Sequence, residues 1–415
     1  MKFFINSYFG DNQSIGLLSH IKKRLPYGMD DQWMVFSHYT ERGWTVDNLW
    51  HIFTDFYGGQ YAPLAFLSYL VLYAGFGYDP FYFHMFSLLL HIGCVCLVWK
   101  LISSLLRVHG GVSEKQILYV NFITTLLFAV HPINVEAVAW ISALKVLLYA
   151  FFYLLGLLCY LRYIRTSKIF YYVLTIGCFL CSFWGKEQAV TFPLALLIVD
   201  WFTNRNMKNP EVWSEKMSFL IMAFFFGIIT VLSQGKGPYE MIFPLYQRLL
   251  FGCFALVEYI TKSLLPVNLN FFYPFPIVLG EEPPLHYYLY PVVLLFLMGW
   301  IIAYRNNRYL VFGVLLFLVN LLFSIHLFNM SRHAIVADRY MYLSYVGIAF
   351  LIANGIWWLR KRLSYFKAAL VFLFFYCFFL SVYTFHYTKK RENTTMVKKY
   401  TKEVLEKRLN GSNHL

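Results

Sequence analysis

Residues 141–165 read ISALKVLLYAFFYLLGLLCYLRYIR. From Val146 to Leu161 no side chain carries a formal charge, while Lys145 precedes the run and Arg162 and Arg165 follow it. Such a run suits a helix crossing a bilayer, which takes about 20 apolar residues. The signature recurs in both directions, giving spans at roughly 82–106, 117–131, 142–161, 169–185, 188–203, 216–233, 286–304, 309–327, 339–359 and 365–385. The expected fold is an all-α polytopic membrane protein of about ten spans, eleven if 246–265 also crosses.

Composition agrees. Charged residues make up 13% of the 415, against about 25% in a soluble domain, and 59% are hydrophobic. A net charge of +14 would suit nucleic acid, but Lys and Arg fall in short clusters between apolar runs. That pattern marks membrane topology, so the expected partner is a lipid bilayer and not nucleic acid. The seven cysteines lie mostly inside apolar segments and read as small core residues. No linker divides the chain into soluble domains. The organisation reads as an N-terminal external segment over 1–81, a membrane domain over 82–386 and a basic tail over 387–415.

Three turns are basic: Arg107 with Lys115, Arg162 with Arg165 and Lys168, and Arg205 with Lys208 and Lys216. The loop 131–141 has no Lys or Arg, so it faces outward with the turn at 185–188. Segment 246–265 carries Arg248, Glu258 and Lys262, which suits a site or an interface-lying helix. If it does not cross, Arg305/Arg308 and Arg360/Lys361/Arg362 lie inside and the tail outside. If it crosses, these assignments reverse, and charge counting leaves both open.

Polar residues at the outward ends carry the chemistry. Asp30-Asp31, in GMDDQWMV, can supply a general base and a positioning group, or form a solvated turn. The outward loop His131-Pro132-Ile133-Asn134-Val135-Glu136 runs on to Trp140 and Lys145. Its bland reading is a helix started by Pro132, with Glu136 paired to Lys145. Lys186-Glu187 in the next outward turn reads most simply as an ion pair. Lys262 precedes a Pro- and aromatic-rich stretch, and Arg332-His333 and Asp338-Arg339-Tyr340 precede the span starting near 339. Lys and Arg are natural phosphate donors, whereas Asp338 could simply orient Arg339. Their gathering on one membrane face, in a chain poor in charge, points to an enzyme acting on a lipid phosphate.

The order of motifs resembles the protein O-mannosyltransferase-type membrane glycosyltransferases of the GT-C class, in the transmembrane-and-tetratricopeptide-repeat branch and its bacterial relatives. The matching stretches are MDDQWMV, TVDNLWHIFTDFYGGQYAPLAFLSYLVLYAGFGYDPFYFHMFSLLLH, FAVHPINVEAVAWISALKVLLYAFFYLLGLLCYLRY, SFWGKEQAVTFPLALLIVDW, YITKSLLPVNLNFFYPFP and ADRYMYLSYVGIAF, over about residues 30–350. The resemblance implies a GT-C helical bundle with an outward cavity capped by external amphipathic helices. It implies a polyprenyl-phosphate sugar donor, usually of mannose, and a Ser or Thr acceptor of an exported protein. It also places 246–276 at the outer surface and the tail outside. The family's carboxylate base aligns with Asp30-Asp31, and Asp30 is favoured because it comes first. Two departures stand out. No recognisable span precedes Asp30, as in a truncated or misassigned start, and tetratricopeptide repeats are absent, which opens the acceptor to a glycan or lipid.

The sequence thus points to an inverting transferase with Asp30 and Asp31 catalytic. Lys145, Lys262, Arg332 and Arg339 hold the donor phosphate, while His131, Glu136, Lys186 and Glu187 position the acceptor. No obligatory metal is expected, although His131 and Glu136 could ligate a divalent cation. A bacterial inner membrane is favoured over the endoplasmic reticulum. The alternatives are a lipid transporter or flippase, whose charges would line a pathway through the bilayer, and an inactive membrane scaffold.

Overall fold

Capping residues set the ends of the long helices. Asp79 accepts from Phe81 N with Pro80 behind it, Ser113 accepts from Gln116 N, and Asn307 accepts from Tyr309 N and Leu310 N. The computed structural model describes residues 31–234, 243–270, 272–326 and 334–392. The chain starts with α1 (Asp31–Met34), α2 (His38–Glu41), α3 (Val46–Thr54) and α4 (Pro63–Phe76). Then come α5 (Pro80–His109), α6 (Glu114–Val130), α7 (Val135–Ala139), α8 (Leu144–Thr166), α9 (Ile169–Gly185) and α10 (Phe192–Phe202). The remaining helices are α11 (Pro210–Gln234), α12 (Leu245–Leu264), α13 (Leu289–Ala303), α14 (Arg308–Leu321), α15 (Met341–Trp358) and α16 (Leu363–Glu392). A two-stranded ribbon pairs β1 (Tyr273–Pro274) antiparallel with β2 (Ala334–Val336). The protein is an all-α polytopic membrane protein.

The span count falls below the expected ten. Six helices among the described residues are long and apolar enough to cross a bilayer, seven if α6 and Pro132–Ala139, bent by 50°, form one span. The apolar runs at 169–185, 188–203 and 309–327 give helices of 17, 11 and 14 residues. At about 1.5 Å per residue the last two fall well short of a 30 Å core. In the second of these runs, Glu187–Thr191 forms a tight 3₁₀ turn before Pro193 opens the helix, so apolar length overstated helical length.

Helix α8 forms the centre, buried along most of its length against α5 and α9. Helices α14 and α15 cross closely at Gly313 and Gly347, where a Cβ on Gly347 would lie 2.7 Å from Phe317 N. Helix α13 has no buried residue, and α16 exposes Phe372, Phe374 and Phe378, as lipid-facing helices do. The N-terminal helices share a core with the start of α8: Met34, Tyr39, Ile52, Phe66 and Tyr69 pack with Ile141, Leu144 and Leu148.

The layout of the two ends follows from contacts. His109 stacks on Phe202 and meets Tyr309 edge-on, while Tyr119 lies against Trp357 and Phe366. The turns near 110, 205, 307 and 361 therefore share one end. At the other end Tyr387 packs with Val135 and Leu269, and Thr384 donates to Val130 O. Helix α12 lies along this second end. Phe243 and Phe251 pack on Phe275, Tyr246 donates to Glu282, Tyr259 receives Ala337 N, and Lys262 donates to Tyr273. Both halves of α12 thus touch the same loop layer, and α12 is not among the helices apolar enough to cross.

Candidate functional site

The end bearing residues 131–143 is built around a bend. Pro132 cannot continue α6, and His131 before it adopts an extended backbone. His131 is buried, accepts from Ile133 N through Nδ1, and rests 4.2 Å from the Tyr345 ring. It is a capping residue of this bend.

The next 3₁₀ turn, Ile141–Ala143, receives the N-terminal arm. Asp31 is buried, and its Oδ1 accepts from Ser142 N at 3.1 Å and from the Ser142 hydroxyl. Tyr69 locks the turn by donating to Ile141 O. One turn on, Lys145 donates to Gln60 Oε1 with the Met34 sulfur 3.9 Å away. Gln60 is delivered by the tight turn Tyr57–Gln60, whose two glycines adopt φ of +59° and +69°. A Cβ on Gly58 would strike the Trp33 ring.

Sequence proximity pointed to Lys145 as the partner of Glu136. The structure pairs Glu136 with Arg339: Oε1 accepts from the guanidinium at 2.6 Å and Oε2 from the Arg339 backbone N at 2.7 Å. The carboxylate is 2% exposed, and the guanidinium stacks 5.2 Å from Trp140 and 5.0 Å from Tyr340. Asp338 accepts from Tyr273 OH, which in turn accepts from Lys262 at 3.2 Å. Lys262 also pairs with Glu258 at 3.1 Å, one helical turn away.

Among the described residues, no ion pair joins Lys186 to Glu187. Lys186 has an extended backbone, which sends neighbouring side chains apart. Its position is fixed by Gly185, where a Cβ would lie 2.7 Å from Tyr149 N. The Lys186 ammonium sits 4.7 Å from the Tyr340 ring centre, in a side chain 3% exposed. Burial pushes its pKa down to about 8; Glu187 and Tyr340 oppose that shift, and the charges of Lys145 and Arg339 add to it. Glu187 is half-buried beside it. Phe53 against Trp184 and Tyr61 against Phe183 lay the N-terminal arm over this turn.

The structure therefore gathers Asp31, Glu136, Lys145, Lys186, Glu187, Lys262 and Arg339 at one end of the bundle. Lys186 feels the charges of Lys145 and Arg339, and Lys262 stands to the side in its own pair. Asp30 and Arg332 lie outside the described residues. Sequence reasoning missed Gln60, Ser142 and Tyr273. The glycine pair before Gln60 was the one available signal, and nothing marked Ser142 or Tyr273 out.

A second buried cluster was also missed, at the opposite end. Lys216 and Asp200, both fully buried, pair at 2.5 Å, and Arg205 binds Glu215 through two nitrogens at 2.6 and 3.0 Å. Tyr160 donates to both Asp200 oxygens at 2.8 Å. Two acids and two bases cancel here, and the cluster ties α8, α10 and α11 together. Arg205 and Lys216, read as topology markers, are thus internal partners. Asp200 inside the apolar run LLIVDWF was the overlooked signal.

Curated relatives share part of this chain. It is 30% identical over 203 residues to the protein O-mannosyl-transferase tmtc2 of Xenopus laevis, covering 45% of this chain and 23% of that protein. It is 32% identical over 189 residues to the protein O-mannosyl-transferase TMTC2 of Mus musculus, covering 41% and 21%. To the protein O-mannosyl-transferase Tmtc3 of Drosophila melanogaster it is 28% identical over 168 residues, covering 36% and 18%. The chain spans about a fifth of the length of the curated relatives it matches. No family model and no solved structure matches it. The chain resembles the transmembrane-and-tetratricopeptide-repeat branch of the protein O-mannosyl-transferases.

Proposed function

We propose that this chain is a glycosyltransferase that moves a sugar, mannose in the first instance, from a polyprenyl phosphate to a hydroxyl acceptor. The observation that carries the reading is the convergence of Asp31, Lys145, Lys186 and the Glu136–Arg339 pair at one bundle end, in a chain similar to proteins named O-mannosyl-transferases.

In the reaction the acceptor oxygen attacks the anomeric carbon while the bond from that carbon to the phosphate oxygen breaks. The hydroxyl proton passes to a carboxylate, and polyprenyl phosphate leaves with the electron pair. Asp31 is held by Ser142, which suits a positioning carboxylate and leaves Asp30 as the base. Lys145 and Arg339 stabilise the charge growing on the leaving phosphate. Lys262, neutralised by Glu258, acts through Tyr273 and Asp338 on the neighbouring Arg339. Arg332 stays in the reading as a further phosphate ligand. Glu187, half-buried beside Lys186, is suited to orienting the acceptor hydroxyl. Glu136 serves by fixing Arg339, and His131 by holding the bend. The reading includes no obligatory metal.

The site faces the extracytoplasmic side. The turns at the opposite end carry Arg107, Lys115, Arg162, Arg165, Arg305, Arg308, Arg360 and Lys361, and such clusters stay cytoplasmic. The matched relatives are animal proteins, which favours the endoplasmic reticulum over a bacterial inner membrane. A flippase would need charge along the bilayer path, whereas the two buried charged clusters sit at opposite ends. A protein is the acceptor class the relatives' names favour, read here as an exported one, and a glycan remains the second acceptor class.

Donor choice tests the reading. Purified protein is offered radiolabelled mannose as polyprenyl-phosphate mannose or as a nucleotide-diphosphate mannose, with a hydroxyl-bearing peptide as acceptor. Label should pass to the peptide from the lipid donor alone. Transfer from the nucleotide donor at an equal rate would overturn the reading.

A further inference from the structure

Four cations of the candidate site differ in how their donors are used. Lys145 gives a hydrogen bond to Gln60, Arg339 is bound to Glu136, and Lys262 is paired with Glu258. Lys186 differs: among the described residues its ammonium makes no hydrogen bond and no ion pair, and its contact is the Tyr340 ring at 4.7 Å. Yet its side chain is more deeply buried than that of Lys145 or Arg339. An ammonium has three N–H donors, and burying it without an acceptor is costly. The cost is raised by the nearby charges of Lys145 and Arg339. The backbone contact at Gly185 fixes the point from which the Lys186 stem leaves the chain.

We propose that Lys186 is the principal seat for the phosphate group of the substrate, its ammonium donating to phosphate oxygens between Lys145 and Arg339. This rests on the transferase reading and sharpens it, because sequence reasoning had placed Lys186 with the acceptor. The donor's phosphodiester, and the polyprenyl monophosphate released from it, both carry oxygen acceptors for this ammonium. Their negative charge relieves the mutual repulsion of the three cations. Lys145 and Arg339 then contribute field, with part of their hydrogen bonding already committed. The lowered pKa of Lys186 fits this geometry, since a bound phosphate anion would raise it again.

The test uses the full chain in detergent with three probes: a polyprenyl monophosphate, the matching uncharged polyprenol, and inorganic phosphate. Binding is read from ligand-induced shifts in melting temperature for the parent and for Lys186→Met, Lys186→Gln and Lys186→Arg. The parent should bind the polyprenyl monophosphate and not the polyprenol. The two neutral variants should bind it about 10- to 100-fold more weakly, the loss of one charged hydrogen-bond donor. Without probe they should melt at or above the parent, and Lys186→Arg should recover part of the binding. A purely structural role would instead lower the melting temperature of both neutral variants and leave probe affinity unchanged, which overturns the inference and spares the transferase reading. Inorganic phosphate binding as tightly as the lipid, and lost in both neutral variants, would uphold Lys186 and overturn the lipid donor. A parent that binds neither phosphate probe overturns both.

Discussion

Replacing Glu136 or Arg339 with Ala probes the strongest long-range contact of the site end. Glu136 is 2% exposed and accepts two hydrogen bonds from residue 339, one from the guanidinium and one from the backbone. Losing one partner of a buried ion pair costs about 3–5 kcal/mol. The Arg339 side chain is 22% exposed, so water can hydrate part of the orphaned guanidinium. Glu136→Ala therefore belongs at the low end of that range, about 3 kcal/mol. Arg339→Ala takes the guanidinium from a buried carboxylate, and belongs at about 3–4 kcal/mol. The double variant removes both charges together, so it should be less destabilised than the sum by about 2 kcal/mol. Equilibrium unfolding of all four proteins in mixed micelles measures this coupling. Additivity within about 0.5 kcal/mol would mean that the pair does not act as a unit, and would return Arg339 to the pool of unattached phosphate ligands.

Lys186 makes stability depend on pH in a defined direction. Its pKa is lowered from 10.5 to about 8, so the folded state sheds that proton before the unfolded state does. Stability of the parent should rise relative to Lys186→Met between about pH 8 and 10.5, gaining up to about 3 kcal/mol, and stay parallel to it below pH 7; a flat difference across this window would contradict the burial argument. In a cysteine-free background, Glu282→Cys should react with an impermeant reagent from the extracytoplasmic side and Asn306→Cys should not; the reverse pattern would invert the assigned topology. Asp200→Asn should destabilise by about 3–5 kcal/mol, because buried Lys216 loses its 2.5 Å partner, whereas a loss below about 1 kcal/mol would mean the cluster is hydrated.

The sequence made some parts of this molecule plain and concealed others for physical reasons. Helix α8 was legible because sixteen uncharged residues in a row, Val146 to Leu161, admit one environment. Helix α10 was misjudged in length because Gln188 and Thr191 build a 3₁₀ turn within an otherwise apolar run. The gathering of Asp31, Glu136, Lys145 and Lys186 at one end of the bundle could be read from loop positions, since charge is scarce elsewhere. Who pairs with whom could not. Glu136 and Arg339 are 203 residues apart, and Lys145 is a nearer candidate with no sequence feature against it. Ser142 is one hydroxyl in an apolar loop, and only the fold shows that it holds Asp31. Lys216 looked like a member of a basic turn because local charge counting cannot see its pairing with Asp200 in the apolar run before it.

The most direct test of the account is the number of sugars transferred per protein molecule by the parent, Asp30→Asn and Asp31→Asn. All three are purified in detergent and given polyprenyl-phosphate mannose with a hydroxyl acceptor, and their melting temperatures are compared to show that each is folded. The account predicts many turnovers for the parent and a loss of about 10²–10⁴-fold for Asp30→Asn, the usual worth of a general base. Asp31→Asn should lose less, because its bond from Ser142 positions rather than reacts. A parent that transfers nothing from any polyprenyl-phosphate sugar, or two variants that keep the parent's rate, would contradict it.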